Sequence, residues 1–316
     1  MNAQNHDKTS LTRFYSPRYW PTWLGLWIMW LLAHLPFPVQ IRLGQVLGYL
    51  SYLLARERRE VCRINLELCF PELSDQARRS LLRRTFLSNG IGVMEVAMSW
   101  CRDPADFRDR VTVAGLENLR RARAEGRGVL LICAHFSTLE FAGALLSLFE
   151  KMDVTYRKHG NPLFETVMTN SRKRLYPGVI ERENVREAYR SLKKGHIVWY
   201  APDQDYGRRH SVFVPFFGVQ AATITATSRF ARFNDSPVIF FSHYRHGDNS
   251  GYHLDFSPPI ENYPSGDDEA DAIKINTIIE QAIRKHPEQY LWLHKRFKTQ
   301  VGGKAARPYP EKPRRK

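Results

Sequence analysis

From about residue 110 to residue 285, short apolar runs alternate with helix-like segments, and this alternation constrains the fold more than any other feature. The runs "GVLLICA" (128–134), "MDVTYR" (152–157), "GVIE" (178–181) and "HIVWYAPD" (196–203) have strand length and are rich in β-formers. Between them "FAGALLSLF", "LFETVMTNSRKRLY" and "NVREAYRSLKKG" read as helices. "SPVIFFSHYR" and "GYHLDFSPPI" add two strands, and a last helix over about 268–285 ends before Pro287. Residues 73–100 are expected to form a further helix, with Ser74 and Asp75 as cap candidates. The expected fold is α/β, with a mostly parallel central sheet and helices on both faces. In such sheets ligands bind beyond the C-terminal ends of the strands.

The N-terminal part has a different texture. Between Arg18 and Arg42 there is no Asp, Glu, Lys or Arg, and the gap holds Trp20, Trp23, Trp27 and Trp30. Pro36 and Pro38 should end a helix there by His34 or Leu35. A helix over 21–35 reaches about 22 Å, short of the roughly 30 Å hydrocarbon core. The expectation is a membrane-anchoring or re-entrant helix within residues 1–40; a buried core helix is the alternative. A cleaved signal peptide fits poorly, because a long mixed segment precedes the run and no small-residue cleavage site follows. The apolar helical spacing of Leu43, Val46, Leu47, Leu50, Leu53 and Leu54 leads into the cluster "ARERRE". That order suits a protein held at an anionic leaflet, although the two glutamates also fit a solvated helix face. One domain is expected over 41–305, and residues 306–316 read as a basic, disordered tail.

Charge narrows the partners. The 316 residues carry a formal charge of +15, which draws polyanions: nucleic acid, anionic headgroups or phosphorylated substrates. Cys62, Cys69, Cys101 and Cys133 form no C-x-x-C pair, so they fit buried thiols in a reducing compartment better than a zinc or redox site.

The chemistry concentrates in "ICAHFSTLEFAGALL" (132–146), where a strand gives way to a helix. "STLE" matches a capping box with Glu140 at its last position, so Glu140 can be a plain helix cap. The same spacing lets Glu140 accept a proton from His135, fixing its tautomer and making it a general base. One carboxylate can serve both ends. The spacing alone does not choose.

Together the strand–H-x-x-x-x-E–helix pattern, the apolar N-terminus and the basic excess resemble the glycerolipid acyltransferase superfamily. "INLELCFPELS", "YRKHGNPLFE", "LKKGHIVWYAPDQDYG", "SVFVPFFGVQAATITATSRFA" and "PEQYLWLHKRFK" narrow this to a resemblance to the late acyltransferases of lipid A biosynthesis, over about residues 15–300. The resemblance implies transfer of a fatty acyl chain from acyl carrier protein to a 3-hydroxyacyl chain of a phosphorylated lipid A precursor. It implies His135 as base and Glu140 as its orienting acid, direct transfer with no acyl-enzyme, no cofactor, and a place at the cytoplasmic face of the bacterial inner membrane. Backbone N–H groups at the start of the following helix are candidates for the oxyanion.

The resemblance also marks substrate-binding candidates. Arg157 matches a family arginine and would hold an acceptor phosphate, against a solvated arginine as the alternative; Lys158 is a weaker candidate of the same kind. Asp203 and Asp205 are placed near the site without an assigned role, and a turn is their alternative. Arg296 would line the acceptor cleft, or make structural contacts. A metal site on His135, Asp203 and Asp205 is disfavoured, because D-x-D alone is no ligand set. Rival functions are transfer to another glycolipid or lysophospholipid, and a non-catalytic basic protein bound to membrane or nucleic acid; no nucleic-acid partner is expected.

Overall fold

The computed structural model describes residues 11–310. Four helices come first: α1 (Trp20–Ala33), α2 (Phe37–Leu54), α3 (Arg56–Cys69) and α4 (Asp75–Cys101). Pro36 stops α1 as expected, and the Ser74 hydroxyl caps α4 by accepting from Ala77 N. The alternating part then runs β1 (Val111–Ala114), α5 (Leu116–Ala124), β2 (Val129–Ile132), α6 (Leu139–Leu146), β3 (Asp153–Tyr156), α7 (Pro162–Leu175), β4 (Gly178–Glu181), α8 (Val185–Lys193) and β5 (Ile197–Tyr200). A hairpin of β6 (Ser211–Phe216) and β7 (Val219–Ile224) follows, then α9 (Ala226–Asn234), β8 (Val238–Arg245), β9 (Tyr252–Phe256) and α10 (Asp268–Lys285).

Seven strands form one sheet in the order β1-β9-β8-β2-β5-β3-β4. Five run parallel; β9 pairs antiparallel with β8, and β1 follows β9. Side chains alternate across the central strands and fill two cores. Leu130, Ile132, Val198 and Tyr200 face α3, α8, α9 and α10. Val129, Leu131, Cys133, Ile197 and Trp199 face α5 and α6. Helices therefore cover both faces, as the alternation required.

The N-terminal expectation needs correcting. Among the described residues no helix is long and apolar enough to cross a membrane. The 14 residues of α1 span about 21 Å. Instead α1 and α2 lie against α4. Gly44, Gly48 and Gly90 permit the α2–α4 contact: a Cβ on Gly90 would lie 2.5 Å from the Gly48 Cα, and one on Gly48 would lie 2.7 Å from the Leu87 Cα. This packing leaves one apolar face of each helix outward. Trp20, Leu24, Trp27 and Leu31 are exposed on α1, and Leu43, Leu47, Leu50 and Leu54 on α2.

The expected loose tail is partly tied down. Tyr309 is buried; its hydroxyl accepts from Phe297 N and donates to Asn65 Oδ1. The rest of that segment, residues 311–316, lies outside the described residues.

Candidate active site

His135 sits three residues past Ile132, the last residue of β2, and Asp203 sits three residues past Tyr200, the last residue of β5. Ile132 and Tyr200 are paired in register, so the two loops leave the sheet side by side. The side chains meet there. His135 Nδ1 is 2.6 Å from Asp203 Oδ1, and the His135 backbone N–H donates to Asp203 Oδ2 at 2.9 Å. Burial pushes the Asp203 carboxyl up. The His135 ring, the His135 N–H and the Tyr290 side chain outweigh it and hold the carboxyl at about 2. An ionised carboxylate only accepts, so Nδ1 carries the hydrogen and the opposite ring nitrogen is left basic. The His135 side chain is 21% exposed and reaches the cavity.

A strap fixes this loop. Leu291 N donates to His135 O, Ser137 N donates to Gln289 O, and the Ser137 hydroxyl bonds that of Ser88 on α4. The backbone N–H groups of Phe136, Ser137 and Leu139 are thus spent on Ala134 O, Gln289 O and Phe136 O. Of the expected oxyanion donors at this helix start, these three are already engaged.

Glu140 departs from both expectations. It does not cap α6: Thr138 is the N-cap residue, and no side chain caps it. Nor does it hold His135, whose Nδ1 is taken by Asp203. Its carboxylate instead takes two bonds from Arg172 on α7, at 2.9 and 2.6 Å, and one from Trp100 Nε1 at 2.9 Å. The pair lines the same cavity as His135.

The other candidates separate. Arg157, at the end of β3, is exposed and lines the cavity. Lys158 faces an adjoining cavity, 3.7 Å from Glu181. Two candidates take the structural alternative stated for them. Arg296 is 2% exposed, and its guanidinium donates to Ala222 O and Thr223 Oγ1, bracing the β6–β7 hairpin. Asp205 is buried, and accepts from Gly207 N and Thr299 N. It ties two loops together and is not shared with His135. Among the described residues no three His, Cys, Asp or Glu side chains are grouped to hold a metal ion.

Two further histidines flank the base. His243 is wholly buried, with Nδ1 2.9 Å from Thr138 Oγ1; burial pushes it down to about 3. Burial likewise pushes His294 down to about 4. Unfolded, both bind a proton below about pH 6.5; folded, they resist it. Stability should therefore fall as pH drops from 6.5 towards 4, by about 1.4 kcal/mol per pH unit for each group. In urea unfolding between pH 7 and pH 4.5, His243→Phe should remove about 1.4 kcal/mol per pH unit of this slope below pH 6.5; an unchanged slope would refute the assignment.

The fold and the strand-end histidine define an α/β enzyme. A family model described as bacterial lipid A biosynthesis acyltransferase matches residues 8–299, and the chain belongs to that family of acyltransferases. It is 41% identical over 294 residues to the lipid A biosynthesis palmitoleoyltransferase of Escherichia coli (strain K12), covering 93% of this chain and 96% of that protein. It is also 41% identical to the lauroyltransferase of the same organism over 297 residues (94% and 97%). Identity to the myristoyltransferase of that organism is 30% over 306 residues (95% and 93%).

Proposed function

We propose that this enzyme transfers a fatty acyl chain from an acyl carrier protein thioester to a hydroxyl of a 3-hydroxyacyl chain on a phosphorylated lipid A precursor. The supporting observation is the His135–Asp203 pair at the mouth of a cavity. The nitrogen opposite Nδ1 takes the hydroxyl proton as the oxygen attacks the thioester carbonyl. Asp203 stabilises the imidazolium that forms. Collapse of the tetrahedral intermediate breaks the C–S bond, leaves the new ester, and returns the proton to the departing thiolate. No acyl-enzyme is needed. The Glu140–Arg172 pair supports the wall beside the base, and Arg157 at the rim anchors an acceptor phosphate.

The exposed α1–α2 face supports attachment of the enzyme to a bilayer surface. That many outward Trp and Leu side chains exceed ordinary surface scatter, and Arg42, Arg56 and Arg58 lie on the same helices or next to them. Free cysteines suit the reducing, cytoplasmic side of the inner membrane. Trp27→Glu with Leu50→Glu should weaken co-sedimentation with anionic vesicles at least about tenfold, given roughly 1.5–3 kcal/mol per buried large apolar side chain. Unchanged binding would remove this face from the account.

The test of function incubates the protein with acyl carrier protein thioesters and a phosphorylated lipid A precursor. The expected product is the precursor carrying one more ester-linked acyl chain. Activity only with a lysophospholipid or another glycolipid would favour a different acceptor.

A further inference from the structure

We propose that the inner end of the His135 cavity is the subsite for the donor acyl chain, and that Trp199, backed by Tyr176, is the stop that sets chain length. This rests on the reading of His135 as the base of a thioester-to-hydroxyl transfer.

The cavity is graded. Its mouth carries Arg157, Arg182 and Gln204, which are exposed or half-buried. Its buried lining is Cys133, Val154, Met168, Tyr176 and Trp199, apolar apart from the paired Glu140 and Arg172. A thioester carbonyl beside His135 therefore sits at the polar mouth, and its hydrocarbon continues into the apolar end. The volume is about 340 Å³, mouth and inner end together. That accommodates one chain, not the several chains of the acceptor.

The end wall is rigid. Trp199 Nε1 bonds Cys133 Sγ at 3.1 Å, and the indole packs edge-on against Phe241 with ring centroids 6.0 Å apart. Behind the ring lies α6, which approaches only because residue 143 is glycine. A Cβ there would meet the Trp199 ring and lie 2.7 Å from the Tyr176 hydroxyl. The indole thus lies between the cavity and α6 at Gly143, while Leu139 and Glu140 on the first turn of that helix line the cavity themselves. Overall likeness does not assign the chain, since relatives named for palmitoleoyl and for lauroyl transfer are both 41% identical to this one. A few side chains at the end of the pocket can decide it.

A terminal-diazirine acyl chain on acyl carrier protein, photolysed on the wild-type enzyme, should cross-link within residues 168–176 or at Trp199. Cross-links to α1 or α2, or to no residue of this wall, would overturn the subsite. Trp199→Leu should raise the kcat/KM ratio for 16-carbon over 12-carbon donors by about tenfold, the order that a methylene is worth in an apolar pocket. Met168→Trp, which fills the pocket from α7, should move the ratio the opposite way. Ratios unchanged in active variants would sink the stop. Cross-linking needs no turnover, so it separates this inference from the base: cross-links that persist in a His135→Ala protein retaining full transfer would refute only the base.

Discussion

Asp203→Asn is expected to cut acyl transfer by about 10³–10⁴-fold while the protein stays folded, the scale of an orienting carboxylate lost behind a catalytic imidazole. The amide preserves the shape but offers an N–H where Nδ1–H now finds a carboxylate. It also removes the negative charge that stabilises imidazolium. Because His135 and Asp203 act as a unit, Asp203→Asn combined with His135→Ala should cost no more than His135→Ala alone. Steady-state transfer with matched circular dichroism decides this. Wild-type turnover in folded Asp203→Asn would return the orienting role to some other group.

Glu140→Gln should act mainly on stability. Arg172 and Glu140 are 17% and 18% exposed, so removing the carboxylate strands a largely buried guanidinium. Breaking such a pair costs about 3–5 kcal/mol, against about 1 kcal/mol for a lost helix cap. Replacing both partners, Glu140→Gln with Arg172→Met, should recover much of the loss. Urea unfolding measures it, and turnover of the folded fraction should fall far less than in Asp203→Asn. A loss of about 1 kcal/mol, with no rescue by the double variant, would restore the capping reading.

The contrast shows what the sequence made legible. The strand–helix alternation was readable, because "GVLLICA", "MDVTYR", "GVIE" and "HIVWYAPD" each announce a strand by composition, and β2 to β5 fall within them. It also put His135 in the right loop. The partner of His135 was not readable, because it depends on which strands become neighbours. β5 pairs with β2 by passing over β3 and β4, and only that order brings Asp203 to Nδ1. The partners of Glu140 were hidden for the same reason. Its sequence neighbourhood offered a cap and a histidine, whereas its partners lie on α7 and α4, at Arg172 and Trp100. Arg296 was read as lining the acceptor cleft or making structural contacts; its burial under the hairpin is a tertiary fact. The uncharged N-terminal gap was plain, but the Gly44, Gly48 and Gly90 contact that lays α2 on α4 appears only in three dimensions.

The most direct test is single-turnover transfer from a labelled acyl carrier protein thioester to the phosphorylated precursor, comparing the wild type with His135→Ala at equal folded concentration. A general base predicts a loss of about 10²–10⁴-fold, with the thioester still bound and no labelled acyl-enzyme in either protein. Full transfer by His135→Ala, or a covalent acyl-enzyme on the path, would contradict it.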